Sequence, residues 1–281
     1  MKRRDFASTL GGTTLMAMAG KAAGPKIDEW LDCNVTLGQW PFRKTAFQTP
    51  KSLAEKLQKL GVTQAWTASF DAIFQNDLQS ANLQLAQACR DNSIKNLLPV
   101  ATINPALPDW QADLIFCEKQ LSMSIVRLYP NYHSYTLEDA CFKELLDFAS
   151  NRKLAIQLVV QMEDDRTQPL RMQVPPVDLR PLAKHMLRSS TARVMILNAT
   201  RSQLDPVIQS EGVLFDIAKI EGAGVLEQML ETVNHERIVF GSHSPLFYWE
   251  AAWLKLQESE LLDRQLDAIV QGNAKRWANT L

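Results

Sequence analysis

The stretch Ile27–Arg43, IDEWLDCNVTLGQWPFR, decides how the rest of the chain is read. Trp30, Leu31, Cys33, Val35 and Leu37 are apolar and Asp32, Asn34 and Thr36 alternate with them, the period of two that marks a strand. Gly38 ends the run, and Trp40-Pro41-Phe42-Arg43 makes an aromatic, turn-prone segment just beyond it. Polar side chains in a mostly apolar strand need hydrogen-bonding partners, and in a closed barrel the lumen mouth supplies them. A half-exposed edge strand is the plainer alternative.

Outward from that strand the chain repeats one unit: helix, strand, loop. Thr49-Pro50-Lys51 opens a helix with Leu53, Leu57 and Leu60 on one face, closed by Gly61 and followed by a strand over Val62–Ser69. Helices are predicted over 76–89, 108–121, 137–152 and 179–188, and strands over 97–103, 125–130, 154–161 and 193–197. A short helix, a strand over 214–218, a helix over 226–233 and a strand over 238–242 follow. Helices over 251–262 and 266–277 complete the pattern. Eight strands alternating with helices predict an α/β chain folded as a (β/α)8 TIM barrel rather than an open doubly wound sheet. No G-x-G-x-x-G or phosphate loop occurs, which weakens a dinucleotide-binding reading further.

The frame Asp32-Cys33-Asn34-Val35-Thr36-Leu37-Gly38 with Trp40-Pro41-Phe42-Arg43 resembles the opening of the amidohydrolase-related (amidohydrolase 2) family, whose first strand reads Asp-x-His-x-His-x-Gly. Asn104-Pro105, Arg127-Leu128-Tyr129-Pro130, Phe215-Asp216, Phe240-Gly241-Ser242 and Gly272-Asn273-Ala274 are similar to further landmarks of that family. The resemblance implies a metal-dependent hydrolase barrel from about residue 25 to the end. It also implies a divalent metal held by the two strand-one histidines, a later strand-end histidine and an Asp after strand eight. Those positions here carry Asn34, Thr36, Asn198 and His243, while strand five runs out through Val159, Val160 and Gln161. Amide and hydroxyl groups are feeble ligands for zinc or manganese, so no metal and no other cofactor is expected. The frame supports the fold more than the chemistry.

With 281 residues, 46% of them hydrophobic and 22% charged, the chain has the composition of a globular domain with one large core. A formal net charge of -1 argues against a nucleic-acid footprint and against an anionic-membrane surface. A small-molecule substrate or ligand is the expected partner, and a homo-oligomer stays open. Met1-Lys2-Arg3-Arg4-Asp5-Phe6, the mild apolar run to Ala19 and the small residues that follow read as a twin-arginine export signal over residues 1–24. That apolar run falls far short of the roughly 20 residues that span a bilayer. Periplasmic residence is the expectation. Cys33, Cys89, Cys117 and Cys141 have no zinc-site spacing and read as small buried hydrophobes.

Several strand-end groups are candidates for chemistry. His243 stands where barrel chemistry occurs, and imidazole suits proton transfer near neutral pH; its plainer role is a hydrogen-bonded histidine beside Phe247-Tyr248-Trp249. Glu163 and Asp164 could divide acid and base roles if each perturbs the other. Arg127 and Arg43 could clamp a carboxylate, with an ion pair from Arg127 to Glu163 or Asp164 as the alternative. Tyr129, His133, Asn34, Thr36, Gln161 and Asn198 complete the candidate substrate-binding set, and Asp216 reads as structural. Two functions are compatible with this set. One is a metal-independent hydrolase or lyase acting on a small carboxylate, lactone or amide, and the other is a catalytically silent barrel retained to bind a ligand or partner.

Overall fold

The computed structural model describes residues 29–90, 94–164, 166, 168–188 and 191–279. The export signal expected over residues 1–24 lies outside them. Strands β1 (Trp30–Leu37), β2 (Val62–Ser69), β3 (Leu97–Pro99), β4 (Ala101–Thr102), β5 (Ile125–Leu128), β6 (Ala155–Val159), β7 (Val194–Leu197), β8 (Val213–Asp216) and β9 (Ile238–Val239) follow one another in space as in sequence. Every pairing is parallel. β3 and β4 are two halves of one stave, the first paired with β2 and the second with β5. The ring closes where Cys33 N donates to Phe240 O at 3.0 Å and Thr36 N to Ser244 O at 2.9 Å. Eight staves therefore form a (β/α)8 barrel, as the repeat predicts.

Local chemistry explains the helices. In α1 (Pro50–Lys59) the Thr49 hydroxyl accepts from Ser52 N in a capping box, proline occupies the first turn, and Leu53, Ala54 and Leu57 are buried on one face. Gly61 then adopts φ +83, a left-handed turn that brings the chain into β2. In α2 (Leu78–Cys89) the Asp77 carboxylate caps Ser80 N. The apolar faces of α3 (Trp110–Leu121), α4 (Ala140–Asn151) and α5 (Arg180–Arg188) pack on the outer surface of the strands, joined by Val126, Leu128, Ile156, Leu158, Val194 and Ile196. Leu31, Cys33, Ile125, Ala155, Val159, Met195, Leu197 and Val239 fill the interior. At one end, α6 (Asn273–Asn279) brings Ala274 and Trp277 against Trp66, with the two indoles 5.7 Å apart. The four cysteines are free thiols.

The expected alternation along β1 is corrected by a bulge. Asp32 pairs with Ala65 and Val35 with Thr67, so one strand carries an extra residue over that span. Leu31 and Cys33 consequently lie in the interior, whereas Val35 and Leu37 join the outer layer beneath the helices. All eight residues of β1 are buried, which removes the edge-strand alternative.

Candidate active site

The bulge places Asn34 among groups from the last three staves of the barrel, at the ends of β7, β8 and β9. Its side-chain Nδ2 donates to Asp216 Oδ2 at 2.6 Å and to Asn198 Oδ1 at 2.7 Å. Asn198 Nδ2 in turn faces His243 Nδ1 at 3.2 Å, and His243 Nε2 meets the Met162 carbonyl at 2.5 Å. Because a carbonyl only accepts, Nε2 carries the proton and Nδ1 accepts from Asn198. Donation therefore diverges from Asn34, one way to the Asp216 carboxylate and the other through Asn198 and His243 to the Met162 carbonyl. Asp216 also accepts from Asn198 N at 2.9 Å, the backbone-satisfying role the sequence suggests for it.

The backbone is built around this network. Asn198 and His243 both stand at φ +59, a conformation uncommon outside glycine and enriched where function constrains a chain. A Cβ on Gly241 would meet Asp216 Cβ at 2.8 Å and Asn34 Cβ at 3.0 Å, so glycine lets β9 approach the Asn34–Asp216 contact. Asp32, on the adjoining side of β1, accepts from Asn34 N, Ser242 N and Ser242 Oγ and ties the first strand to the last loop.

Burial sets the protonation of these groups. His243 is 1% exposed, and loss of solvent, then the fields of Lys219, Arg127 and Arg43, push its imidazole down to about 3 despite the Met162 contact. At neutral pH it is a fixed neutral donor, which corrects the expectation of an imidazole titrating near neutrality. Burial likewise pushes Asp32 up to about 7 and Asp216 up to about 6, against hydrogen bonds that favour their charged forms. His133 falls to about 4 for the same reason; its ring nitrogens approach the Ala72 and Ile73 backbone without reaching good hydrogen-bond geometry.

These shifts oppose one another in their effect on stability. Ordinary values in the unfolded chain are about 4 for Asp and 6.5 for His. Between about pH 4 and 7 the folded state holds protons on Asp32 and Asp216 that the unfolded chain releases, so acidification through that window stabilises. Over about pH 6.5 to 4 the unfolded chain binds protons on His133 and His243 that the folded state refuses, so acidification destabilises. The two pairs nearly cancel. Removing one histidine should expose the carboxyl slope: relative to the parent, His133→Phe is expected to gain about 2 kcal/mol on going from pH 7 to pH 5. Urea unfolding at the two pH values measures it, and parallel profiles would contradict the assignment.

Arg127 is the largest correction. It is 0% exposed, and its guanidinium donates to Gln157 Oε1 at 2.8 Å, Val35 O at 2.9 Å, and Cys33 O and Trp66 O at 3.1 Å each. Neither the substrate clamp nor the ion pair with Glu163 or Asp164 is formed. The physical reason is the bulged β1, whose carbonyls turn toward the interior and take the donors.

The two carboxylates expected to perturb each other have separate partners. Glu163, buried, accepts from Trp40 Nε1 at 2.9 Å and pairs with Arg43 Nε at 3.3 Å. Asp164 is gripped by Arg166 within its own loop. Arg43 does fold over the mouth, donating also to Leu246 O at 2.5 Å. Gln161 accepts from Lys219 Nζ at 2.6 Å, and Tyr129 Oη is buried with no hydrogen-bond partner among the described residues. Thr36 is buried beside Ser244 through its backbone.

Sequence reasoning missed Lys219, Gln157 and the Trp40 indole. A lone lysine in Ile217-Ala218-Lys219-Ile220 and a lone glutamine inside Ala155–Val159 are the signals that mark the first two. Nothing in the spacing of Trp40 indicates that its N–H reaches Glu163, 123 residues away.

The resemblance implies a metal, and the donor set does not fit one. Asn34 and Asn198 present N–H groups to their neighbours, and the Nδ1 lone pair of His243 is taken by Asn198. Among the described residues no three His, Cys, Asp or Glu side chains gather where an ion could be held.

No protein-family profile and no curated protein matches the chain. Solved structures do. An uncharacterised TIM-barrel protein from Bordetella bronchiseptica superposes with a TM-score of 0.69 at 12% identity, covering 90% of this chain and 99% of its own. The 5-carboxyvanillate decarboxylase of Sphingomonas paucimobilis gives 0.67 at 10% identity, covering 89% and 99%. That of Novosphingobium aromaticivorans, a mutant with bound manganese, gives 0.65 at 10% identity, covering 92% and 99%. At such identities the likeness establishes the fold.

Proposed function

We propose that this barrel is a metal-independent hydrolase or lyase acting on a small carboxylate, lactone or amide, exported by its twin-arginine signal to the periplasm. One arrangement carries the reading: two cations stand at the barrel mouth, Arg43 paired with Glu163 at 3.3 Å and Lys219 donating to Gln161 at 2.6 Å, and their positive fields bear on His243. A mouth with that field favours a small anion. Structurally similar proteins include decarboxylases of aromatic carboxylates. In this reading Arg43 and Lys219 hold the anionic group, and Glu163, placed by Trp40 and Arg43, transfers the proton. Gln161, Thr36, Tyr129 and His133 orient the substrate, and Asn34, Asn198 and neutral His243 are positioning residues.

The test is turnover of small aromatic carboxylates, lactones and amides by chelator-treated protein. Activity is expected to survive chelation, and Arg43→Gln is expected to raise KM about tenfold through loss of a charge-assisted contact. Activity that appears only with added manganese would overturn the metal-free mechanism. A second reading, the catalytically silent ligand-binding barrel, draws support from the sealing of His243. Saturable binding without turnover, unchanged in Glu163→Gln, would establish it instead.

A further inference from the structure

Beside the barrel mouth, outside the network of Asn34, Asn198 and His243, lies a second cleft of about 130 Å³. The loop after β1, the side of α1 that carries Leu53, Lys56 and Leu57, and the loop after β9 enclose it. Its walls include Phe47, Phe247, Tyr248 and Trp249, and three cations, Arg43, Lys44 and Lys56, face one carboxylate, Glu250. Lys56 is engaged by Glu250 at 2.5 Å and Arg43 by Glu163 at 3.3 Å. Lys44 has no ion-pair partner among the described residues. Two polar atoms of wall residues, Thr45 Oγ1 and Trp249 Nε1, have no hydrogen-bond partner among the described residues, although both residues are more than nine-tenths buried. Orphaned polar atoms of this kind cost stability and are uncommon in folded proteins. Phe47, another wall residue, holds φ +56, a strained conformation for an aromatic side chain.

We infer that this cleft is a binding site for a one-ring aromatic carboxylate, separate from the barrel centre. The volume is close to that of engineered cavities that accept a benzene ring. Aromatic walls suit the ring, and the cation excess, with Lys44 at its edge, suits a carboxylate. Thr45 and Trp249 offer polar groups that a ring substituent could satisfy after a small side-chain shift. A site here communicates with the barrel: Phe247 packs edge-on against His243 at 5.0 Å, and Phe247 N donates to His243 O at 3.1 Å. Occupancy of the cleft would therefore press on the segment that carries His243. The inference is independent of whether the barrel centre is catalytic.

Calorimetric titration with benzoate tests it, using the parent chain and two surface variants, Lys44→Gln and Ala46→Trp. Both residues are exposed and line the cleft, so neither change disturbs the core. Parent binding is expected on the order of 1 mM for so small a ligand. Lys44→Gln should weaken it about fivefold, and Ala46→Trp, which fills the cleft, should abolish it. Equal binding by the parent and both variants would place benzoate elsewhere and overturn the site. No saturable binding by the parent would overturn it as well. Benzyl alcohol binding as tightly as benzoate would overturn the carboxylate assignment.

Discussion

Arg127→Met is expected to lower stability by at least about 4 kcal/mol, enough to unfold a marginal domain. The guanidinium donates to three backbone carbonyls and one side-chain amide inside the barrel. Its removal leaves those acceptors short of donors in a place water does not reach, at about 1–3 kcal/mol for each group left unsatisfied. A competing effect has the opposite sign, because replacing a buried charge with an apolar side chain removes a desolvation cost. Here the orphaning wins: the carbonyls of Cys33, Val35 and Trp66 belong to the main chain, and no side-chain substitution deletes them together with the arginine. Urea unfolding of the variant measures the loss. Stability within about 1 kcal/mol of the parent, combined with loss of ligand binding, would return Arg127 to the role of anion clamp.

Gly241→Ala is expected to cost about 3 kcal/mol through overpacking. The new methyl would stand 2.8 Å from Asp216 Cβ and 3.0 Å from Asn34 Cβ, atoms fixed directly to β8 and β1. No rotamer change relieves such a contact, so two strands must separate and the Asn34–Asp216 hydrogen bond lengthens with them. Gly272→Ala is the control. Its nearest neighbour would be the flexible end of Arg276 at 3.4 Å, and its effect should stay within about 1 kcal/mol, the usual helix-propensity range. Equal midpoints for the two variants in a urea titration would refute the claim that Gly241 is needed for close approach.

Both predictions lie where sequence reasoning was least complete. Arg127 ends an apolar strand, and a strand-end arginine in a barrel can face a ligand, a carboxylate or the lumen wall. Which one it meets depends on where other strands present their carbonyls. That followed from the bulge between Asp32 and Val35, a register feature with no glycine or proline to announce it. Glu163 and Asp164 show the same limit: adjacent in sequence, they pair with Arg43 and Arg166, partners that adjacency does not name. His243 was legible as a residue just past the last strand. Its neutral, locked state was not, since that depends on burial and on the Met162 carbonyl, 81 residues away.

By itself the sequence determined the barrel. Apolar runs of strand length alternate with amphipathic segments, and the Asp32-to-Gly38 frame opens the series; such patterns follow from local periodicity and need no knowledge of distant partners. It also determined that Asn34, Thr36 and Asn198 bring only amides and a hydroxyl to the strand ends, because ligand chemistry resides in residue type. Only the tertiary structure decided which polar groups meet. Hydrogen-bond direction, desolvation and strand register are properties of neighbours brought together from distant parts of the sequence by ring closure. They turned Asn34, Asn198, Asp216 and His243 into one sealed network and left Arg43, Glu163 and Lys219 at the mouth.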